Sequence, residues 1–388
     1  MFSARIQNIP DSGIRVIFNR ALEIERQGHR VYHLEVGRPD WKLPPGAADG
    51  VSQAIRDGYV NYIANRGLLE LRQSIGEDLE QRTGRKANAE TEIIVTLGGS
   101  EGVAMCALAL LNPGDEVIIP EPAWPHYRAV TQLADAQPVS LPLSYQDGYL
   151  LDPDFVAKNV TSRTKLLILN SPNNPTGAVQ SKECLEEIAR LAEKHGFYIL
   201  SDEVYQDFVY QNHYCSMAEI MGESDRLILL NSFSKSYAMT GWRLGYIVSS
   251  PSVSKILNRA HQYLTVCGVA FAQKGASKIL SHPERETYLQ QMKDTFWERF
   301  NIWKNALSQC PCVSVKPPAG AFYLFPLINY RGMSGREFCQ YMLDEHHIAM
   351  VPGEIFGEDF GQHVRISYGR DTDIQTQASQ KFVEILNG

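Results

Sequence analysis

Three apolar runs of strand length, Leu166 to Leu169, Phe197 to Leu200 and Leu227 to Leu230, interrupt an otherwise mixed polar chain. Between the first two lies a stretch of helical period, Leu185 to Glu193, whose apolar side chains return every three or four positions. Alternation of strand and helix in this way predicts a parallel sheet with crossover helices, an α/β architecture. Further upstream a short apolar strand runs through Val95, is followed by Gly98-Gly99-Ser100, and leads into a helix-like run from Val103 to Leu111.

The polar residues just past the strand ends give this pattern chemical content, because open α/β sheets bind ligands along that edge. Asn174 follows the first run, Asp202 and Tyr205 the second, and Ser232 and Lys235 the third. The segment Ser232-Phe-Ser-Lys-Ser-Tyr-Ala-Met-Thr-Gly-Trp-Arg243 sets one lysine among hydroxyls and places an arginine eight residues beyond it. An aldehyde cofactor needs an amine for a Schiff base, and its phosphate needs short donors and a fixed cation. Lys235 supplies such an amine, while Ser232, Ser234 and Arg243 supply such a clamp, so the layout is that of a pyridoxal phosphate anchor. Asp202 opposite the pyridine nitrogen would keep it protonated, and Asn174 and Tyr205 would donate to the ring's phenolate oxygen. Gly98, Gly99 and Ser100 stand where a helix begins, so their backbone N–H groups can form the second half of a phosphate cup. Each piece alone has a plainer reading as a solvated serine loop, a capping carboxylate pair or an ordinary helix start. Three strand ends carrying complementary groups favour the cofactor. The glycines fit neither G-x-G-x-x-G nor G-x-x-x-x-G-K-[ST].

A longer series of motifs accompanies these residues: Gly37-Arg-Pro-Asp40, Tyr62 with Gly67 and Leu71-Arg72, Pro120-Glu-Pro-Ala-Trp124, Asn170-Ser-Pro-Asn-Asn-Pro-Thr-Gly177, Gly320-Ala-Phe-Tyr323, Pro352-Gly353 and Arg365-Ile-Ser367. In this order they resemble a fold-type I pyridoxal phosphate enzyme of the class I/II aminotransferase family, from about Ser12 to the C-terminus. The resemblance implies a large domain with a mostly parallel central sheet flanked by helices, and a smaller α/β domain built from both termini. It implies that Lys235 holds the cofactor as a Schiff base and, once displaced, moves the substrate proton. It further implies that Trp124 stacks on the pyridine ring and that Arg365 clamps the substrate α-carboxylate, helped by the Gly37 backbone and the Asn174 amide. Tyr62 is implied to reach the cofactor phosphate of the neighbouring subunit, which makes the site one shared across a homodimer.

The expected reaction is transfer of the amino group of an L-α-amino acid to a 2-oxo acid through a pyridoxamine form, with glutamate and 2-oxoglutarate as the partner pair by analogy. The loop Gly37 to Gly46 departs from the usual family pattern, with Trp41 and Leu43 where many members have Phe and Thr. This keeps an alternative in view, a lyase or cyclase that eliminates from a side-chain-hydroxylated guanidino amino acid and closes a ring. A non-catalytic, pyridoxal phosphate-responsive regulator is a further alternative. It is expected to need an attached DNA-binding module, for which the family match leaves no room near Met1, and the anchor residues are all present.

Length and composition agree with an ordinary enzyme. The chain has 388 residues, for which a division into 1–45, 46–283 and 284–388 is expected: an N-terminal arm with part of the small domain, a large cofactor domain, and a C-terminal small domain. The breaks are placed near Pro44-Pro45-Gly46 and inside a polar helical run around Ser281 to Glu286. A net charge of −7 without a basic block argues against nucleic acid as a partner. The seven cysteines are scattered, with no paired C-x-x-C set and no H-E-x-x-H, so no metal site and no disulfide framework are expected. With no signal peptide and no apolar run long enough to span a bilayer, a cytoplasmic protein with no membrane partner is expected.

Overall fold

In the computed structural model, which describes residues 2–210 and 213–388, the apolar runs pair side by side. Seven strands form one sheet: β1 (Ile93–Thr96), β2 (Glu116–Glu121), β3 (Gln137–Pro142), β4 (Thr164–Asn170), β5 (Tyr198–Asp202), β6 (Leu227–Ser232) and β7 (Gly245–Ser249). Their order across the sheet is β1-β7-β6-β5-β4-β2-β3. All neighbours are parallel except β7, which runs antiparallel to both β1 and β6. The mostly parallel α/β sheet expected from the sequence is therefore present.

Strands covered on both faces read as continuous apolar runs, because successive side chains enter opposite layers. Leu167 and Leu169 of β4 enter one core, while Leu166 and Ile168 enter the other. Leu229 and Leu230 of β6 divide in the same way. Each such fully buried leucine contributes roughly 1.5–3 kcal/mol relative to exposure. The helix Lys182–His195 covers the first face with Leu185, Ile188, Ala189 and Ala192. It starts where Ser181 accepts from the Cys184 N–H and stops at Gly196, whose φ of 77° suits a left-handed cap. The helix Gly98–Leu110 covers the second face through Val103, Cys106 and Ala107. Gly98 is its first residue, as the sequence pattern implied.

The rest of the chain packs beside this sheet. Tyr32–His33 pairs in parallel with Ile348–Ala349, so residues near the N-terminus join an element close to the C-terminus. Val364–Ser367 lies between Tyr323–Leu324 and Val351–Pro352 in a three-stranded antiparallel sheet, which places Arg365 in its middle strand. The expectation of a continuous helical run around Ser281 to Glu286 is corrected. One helix ends at Leu280 and a 23-residue helix begins at Arg285. Pro283 lies between them, and a proline lacks the N–H that a continuing helix needs and disfavours helical backbone before it. Among the described residues no helix is long and apolar enough to cross a membrane, and no cluster of His, Cys, Asp and Glu is arranged to hold a metal ion.

The long helix is fastened by Trp303, which is fully buried and donates through Nε1 to Gln375 Oε1 at 2.7 Å. Trp303→Ala removes that packing and leaves the Gln375 amide short of a partner, so a loss of about 3–5 kcal/mol is expected in chemical denaturation. A loss within experimental error of zero would contradict this account of how the helix Arg285–Leu307 is held.

Candidate active site

The end of β5 carries Asp202 into the interior, where it is 3% exposed. Its Oδ2 accepts from Tyr127 Oη at 2.6 Å and its Oδ1 from the Val204 N–H at 3.3 Å. Burial pushes this carboxyl up to about 6, against the two hydrogen bonds and the nearby charge of Lys235. A cation brought to the free face of the carboxylate would lower it again.

Lys235 lies in a single helical turn, Phe233–Ser236, which follows β6 directly and is capped by Ser232 through the Ser234 N–H. The part-buried Nζ donates to the Gly37 carbonyl oxygen at 2.6 Å and stands 5.8 Å from the centroid of the Tyr205 ring. Desolvation lowers the amine to about 8, with the charges of Arg365 and Arg243 adding to the effect and Asp202 opposing it. A neutral, nucleophilic fraction is thus present close to neutral pH. At Gly37 a Cβ would fall 2.0 Å from Tyr323 Oη, so only glycine permits this approach. Tyr323 Oη is also 2.8 Å from Tyr205 Oη. One hydroxyl donates to the other, and one proton of the pair stays free for another acceptor.

Arg365 is 2% exposed, although every oxygen it meets is neutral. Nη1 donates to Asn174 Oδ1 at 3.1 Å, and Nη2 donates to the Glu35 carbonyl oxygen. The rings of Tyr323 and Phe356 each stand 4.9 Å from the guanidinium carbon. Nε has no hydrogen-bond partner among the described residues. A buried guanidinium with a spare N–H and no carboxylate partner is a site for an anion.

The glycine turn and the serine turn face each other. Gly98 has φ 77°, and a Cβ there would meet Arg243 Nη2 at 2.7 Å. At Gly99 the nearest atoms to a Cβ are 3.9 Å away, which leaves room above the backbone. Arg243 reaches across the turn, donating to the Thr240 carbonyl oxygen at 3.0 Å and to that of Leu97 at 3.2 Å. Ser232 Oγ and Ser234 Oγ are 2.9 Å apart. The Ser100 carbonyl oxygen is 3.0 Å from His126 Nε2. Trp124 packs edge-on to Tyr127 with centroids 5.5 Å apart, beside the residue that holds Asp202. Tyr62 is 87% exposed.

The fold therefore joins Asp202, Tyr205, Lys235, Gly37, Asn174 and Arg365 in one connected set, with the glycine turn, the serine turn and Arg243 beside it. Tyr62 stands apart. Sequence reasoning missed Tyr127, whose hydroxyl lies on a carboxylate 75 positions away, and Glu35, whose carbonyl oxygen steadies Arg365. Neither residue belongs to a recognisable pattern. The groups that are present suit pyridoxal phosphate: a buried carboxylate, an amine lowered toward neutrality, an unpartnered buried guanidinium N–H, and a backbone cradle with space above Gly99.

Comparison with known proteins agrees. The family model for aminotransferase class I and II matches residues 31–380. An aspartate aminotransferase of Pyrococcus horikoshii is 36% identical over 386 residues, covering 99% of this chain and 97% of its own. Aromatic-amino-acid aminotransferase 2 of Thermococcus litoralis is 36% identical over 387 residues, covering 99% and 98%. The solved structure of aspartate aminotransferase from Thermus thermophilus with maleate superposes with a TM-score of 0.95 at 31% identity, with 100% of each chain covered. The fold and site define a pyridoxal phosphate-dependent α/β enzyme. The chain belongs to the class I and II aminotransferases, and it is an aminotransferase whose cofactor is pyridoxal phosphate. The eliminating or cyclising alternative is not favoured, since these relatives are aminotransferases.

Two outcomes are expected from this geometry. A Cβ at Gly245 would lie 2.8 Å from Gly98 C, 2.9 Å from Gly99 N and 3.0 Å from Asn231 O, all backbone atoms that cannot swing aside. Gly245→Ala should therefore destabilise the protein by roughly 1–3 kcal/mol and weaken pyridoxal phosphate binding in an absorbance titration. Unchanged affinity would count against the cradle. Separately, labelling of the Lys235 amine in cofactor-free protein by an amine-selective reagent should rise with pH through a midpoint of about 8. A midpoint near the ordinary lysine value would show that the amine is not desolvated.

Proposed function

We propose that the chain transfers the amino group of an L-α-amino acid to a 2-oxo acid, with Lys235 as both cofactor anchor and proton carrier. When bound, pyridoxal phosphate supplies the aldehyde that captures the amino group and a ring that takes up the electron pair left at the substrate Cα. Lys235 would hold the cofactor at rest and, once released, its amine would take the proton from the substrate Cα and deliver it two bonds away, to the carbon on the far side of the linking nitrogen. Asp202, oriented by Tyr127 and raised only to about 6, would face the ring nitrogen as a carboxylate and keep a proton on that nitrogen. Tyr205 and the Asn174 amide nitrogen would donate to the ring's phenolate oxygen. Gly98, Gly99, Ser100, Ser232, Ser234 and Arg243 would grip the phosphate, and Trp124 would cover one face of the ring.

Arg365 binds the substrate α-carboxylate, helped by Asn174 and the Gly37 backbone. Its Nε, without a partner among the described residues, is the single observation that carries the reading, because a carboxylate would satisfy both that buried N–H and the guanidinium charge. The exposed Tyr62 suits a role at the partner subunit's phosphate, so the working form is a homodimer with shared sites. Pairing of Tyr32–His33 with Ile348–Ala349 supports grouping residues 1–45 with 284–388 around a large domain of 46–283. The relatives' names point to aspartate and aromatic amino acids as first donors to try, with glutamate and 2-oxoglutarate as the amino currency. Cytoplasmic residence suits such substrates.

Addition of single amino acids to the purified protein, followed by visible spectroscopy, tests the reading. A productive donor should bleach the Lys235-linked absorbance, and a 2-oxo acid should restore it. No response to any donor across a broad panel would sink the proposal. Arg365→Lys should raise KM for both substrates about tenfold or more while the cofactor spectrum persists, since a point charge cannot replace a two-pronged donor.

A further inference from the structure

Beside the glycine turn of the phosphate cup lies a buried ion pair that the reaction scheme does not use. His261, on the helix Pro251–Leu264, is fully buried. Its Nδ1 is 2.7 Å from Glu101 Oε1, and its Nε2 is 2.8 Å from the Asn65 carbonyl oxygen. A carbonyl oxygen and a carboxylate oxygen are both acceptors, so two ring protons are needed where a neutral imidazole has one. Glu101 also accepts from the Leu97 N–H at 2.5 Å and from Thr265 Oγ1 at 2.9 Å. Three donors converge on this carboxylate, which makes it the anion and His261 the imidazolium. Burial pushes the Glu101 carboxyl up, but the bonds from His261, Leu97 and Thr265 outweigh it and hold the group below its ordinary value.

A buried charge pair rarely adds stability over apolar packing, whereas it does fix geometry, since each partner is costly to leave alone. The elements at its two ends show what geometry is fixed. Leu97 and Glu101 bracket Gly98-Gly99-Ser100, and the N–H held by Glu101 is the one just before the left-handed Gly98. Asn65 belongs to the segment that carries Tyr62. That segment is tied to the same helix and its exit, where Arg66 Nη1 donates to Ser254 Oγ at 2.7 Å and Asn65 Nδ2 to the Val266 carbonyl oxygen at 2.6 Å.

We propose that Glu101 and His261 form a positioning pair that holds the phosphate cup and the Tyr62-bearing segment in one frame, and so sets how tightly the phosphate end of the cofactor is bound in both subunits. This rests on the assignment of Gly98 to Ser100 and Tyr62 to the phosphate. Neither residue is a catalytic residue, because neither touches the reacting atoms.

The test compares two cofactor forms. Holoenzyme of the wild type, Glu101→Gln, His261→Gln, the double variant and Thr265→Val is stripped, then titrated with pyridoxal phosphate and, in parallel, with pyridoxal, which lacks the phosphate. The Kd for pyridoxal phosphate is expected to rise about tenfold or more in either single variant, with the double variant no worse than the weaker single, while the Kd for pyridoxal moves by less than about twofold. Thr265→Val removes one donor only and should show a smaller loss of the same kind. It keeps the question decidable if a charge variant fails to fold. Unchanged affinity for pyridoxal phosphate, or equal losses for both forms, overturns the proposal. Wild-type protein that binds pyridoxal phosphate no more tightly than pyridoxal would instead strike the cup assignment on which it rests.

Discussion

Exclusion of water from the carboxyl edge of the sheet governs the chemistry available to this enzyme. Desolvation disfavours charge on either kind of group, so it moves a lysine down and a carboxylate up. Here it brings Lys235 to about 8 and Asp202 to about 6, two groups that at the surface would stand much further apart. The same dryness leaves Arg365 among neutral hydrogen-bond acceptors and aromatic faces. An amine lowered toward neutrality, a carboxyl raised toward it and a buried guanidinium with a spare N–H are three results of one condition. That condition depends on parallel strands buried on both faces, which end in the interior rather than at the surface.

Backbone approach matters as much as charge. The glycine turn packs closely because Gly98 adopts a left-handed φ beside Arg243, and because Gly245 on β7 lets the turn lie against its strand. At Gly37 a close contact with Tyr323 brings a loop from the N-terminal part over Lys235. In each place a methyl group would meet backbone, a guanidinium or a phenol. Specific glycines therefore set how near the elements can come, and side-chain chemistry acts inside the space they define.

Much of the fold was legible because buried parallel strands leave an unmistakable trace. Leu166 to Leu169 and Leu227 to Leu230 are apolar at every position, and both became central strands with little change in boundary. Asp202 and Ser232 could be placed at strand ends because the polar residue after an apolar run marks where the strand leaves the core. The helical run around Ser281 to Glu286 was misread because polarity and period outweighed a single proline, although Pro283 is decisive for backbone hydrogen bonding. β7 left no clear trace among the strands read from the pattern, and its antiparallel direction follows from the turn at Lys235 to Arg243, which sends the chain straight back beside β6.

By itself the sequence determined which groups exist and which of them cluster locally: one amine among hydroxyls, glycines at a helix start, a carboxylate at a strand end. Those are short-range facts, set by strand period, helix starts and turn chemistry. Tertiary structure alone decided the long-range partnerships, Tyr127 on Asp202, Glu35 behind Arg365, and Glu101 with His261 and Asn65. The physical reason is that a buried donor must find an acceptor wherever packing brings one, and packing does not respect distance along the chain.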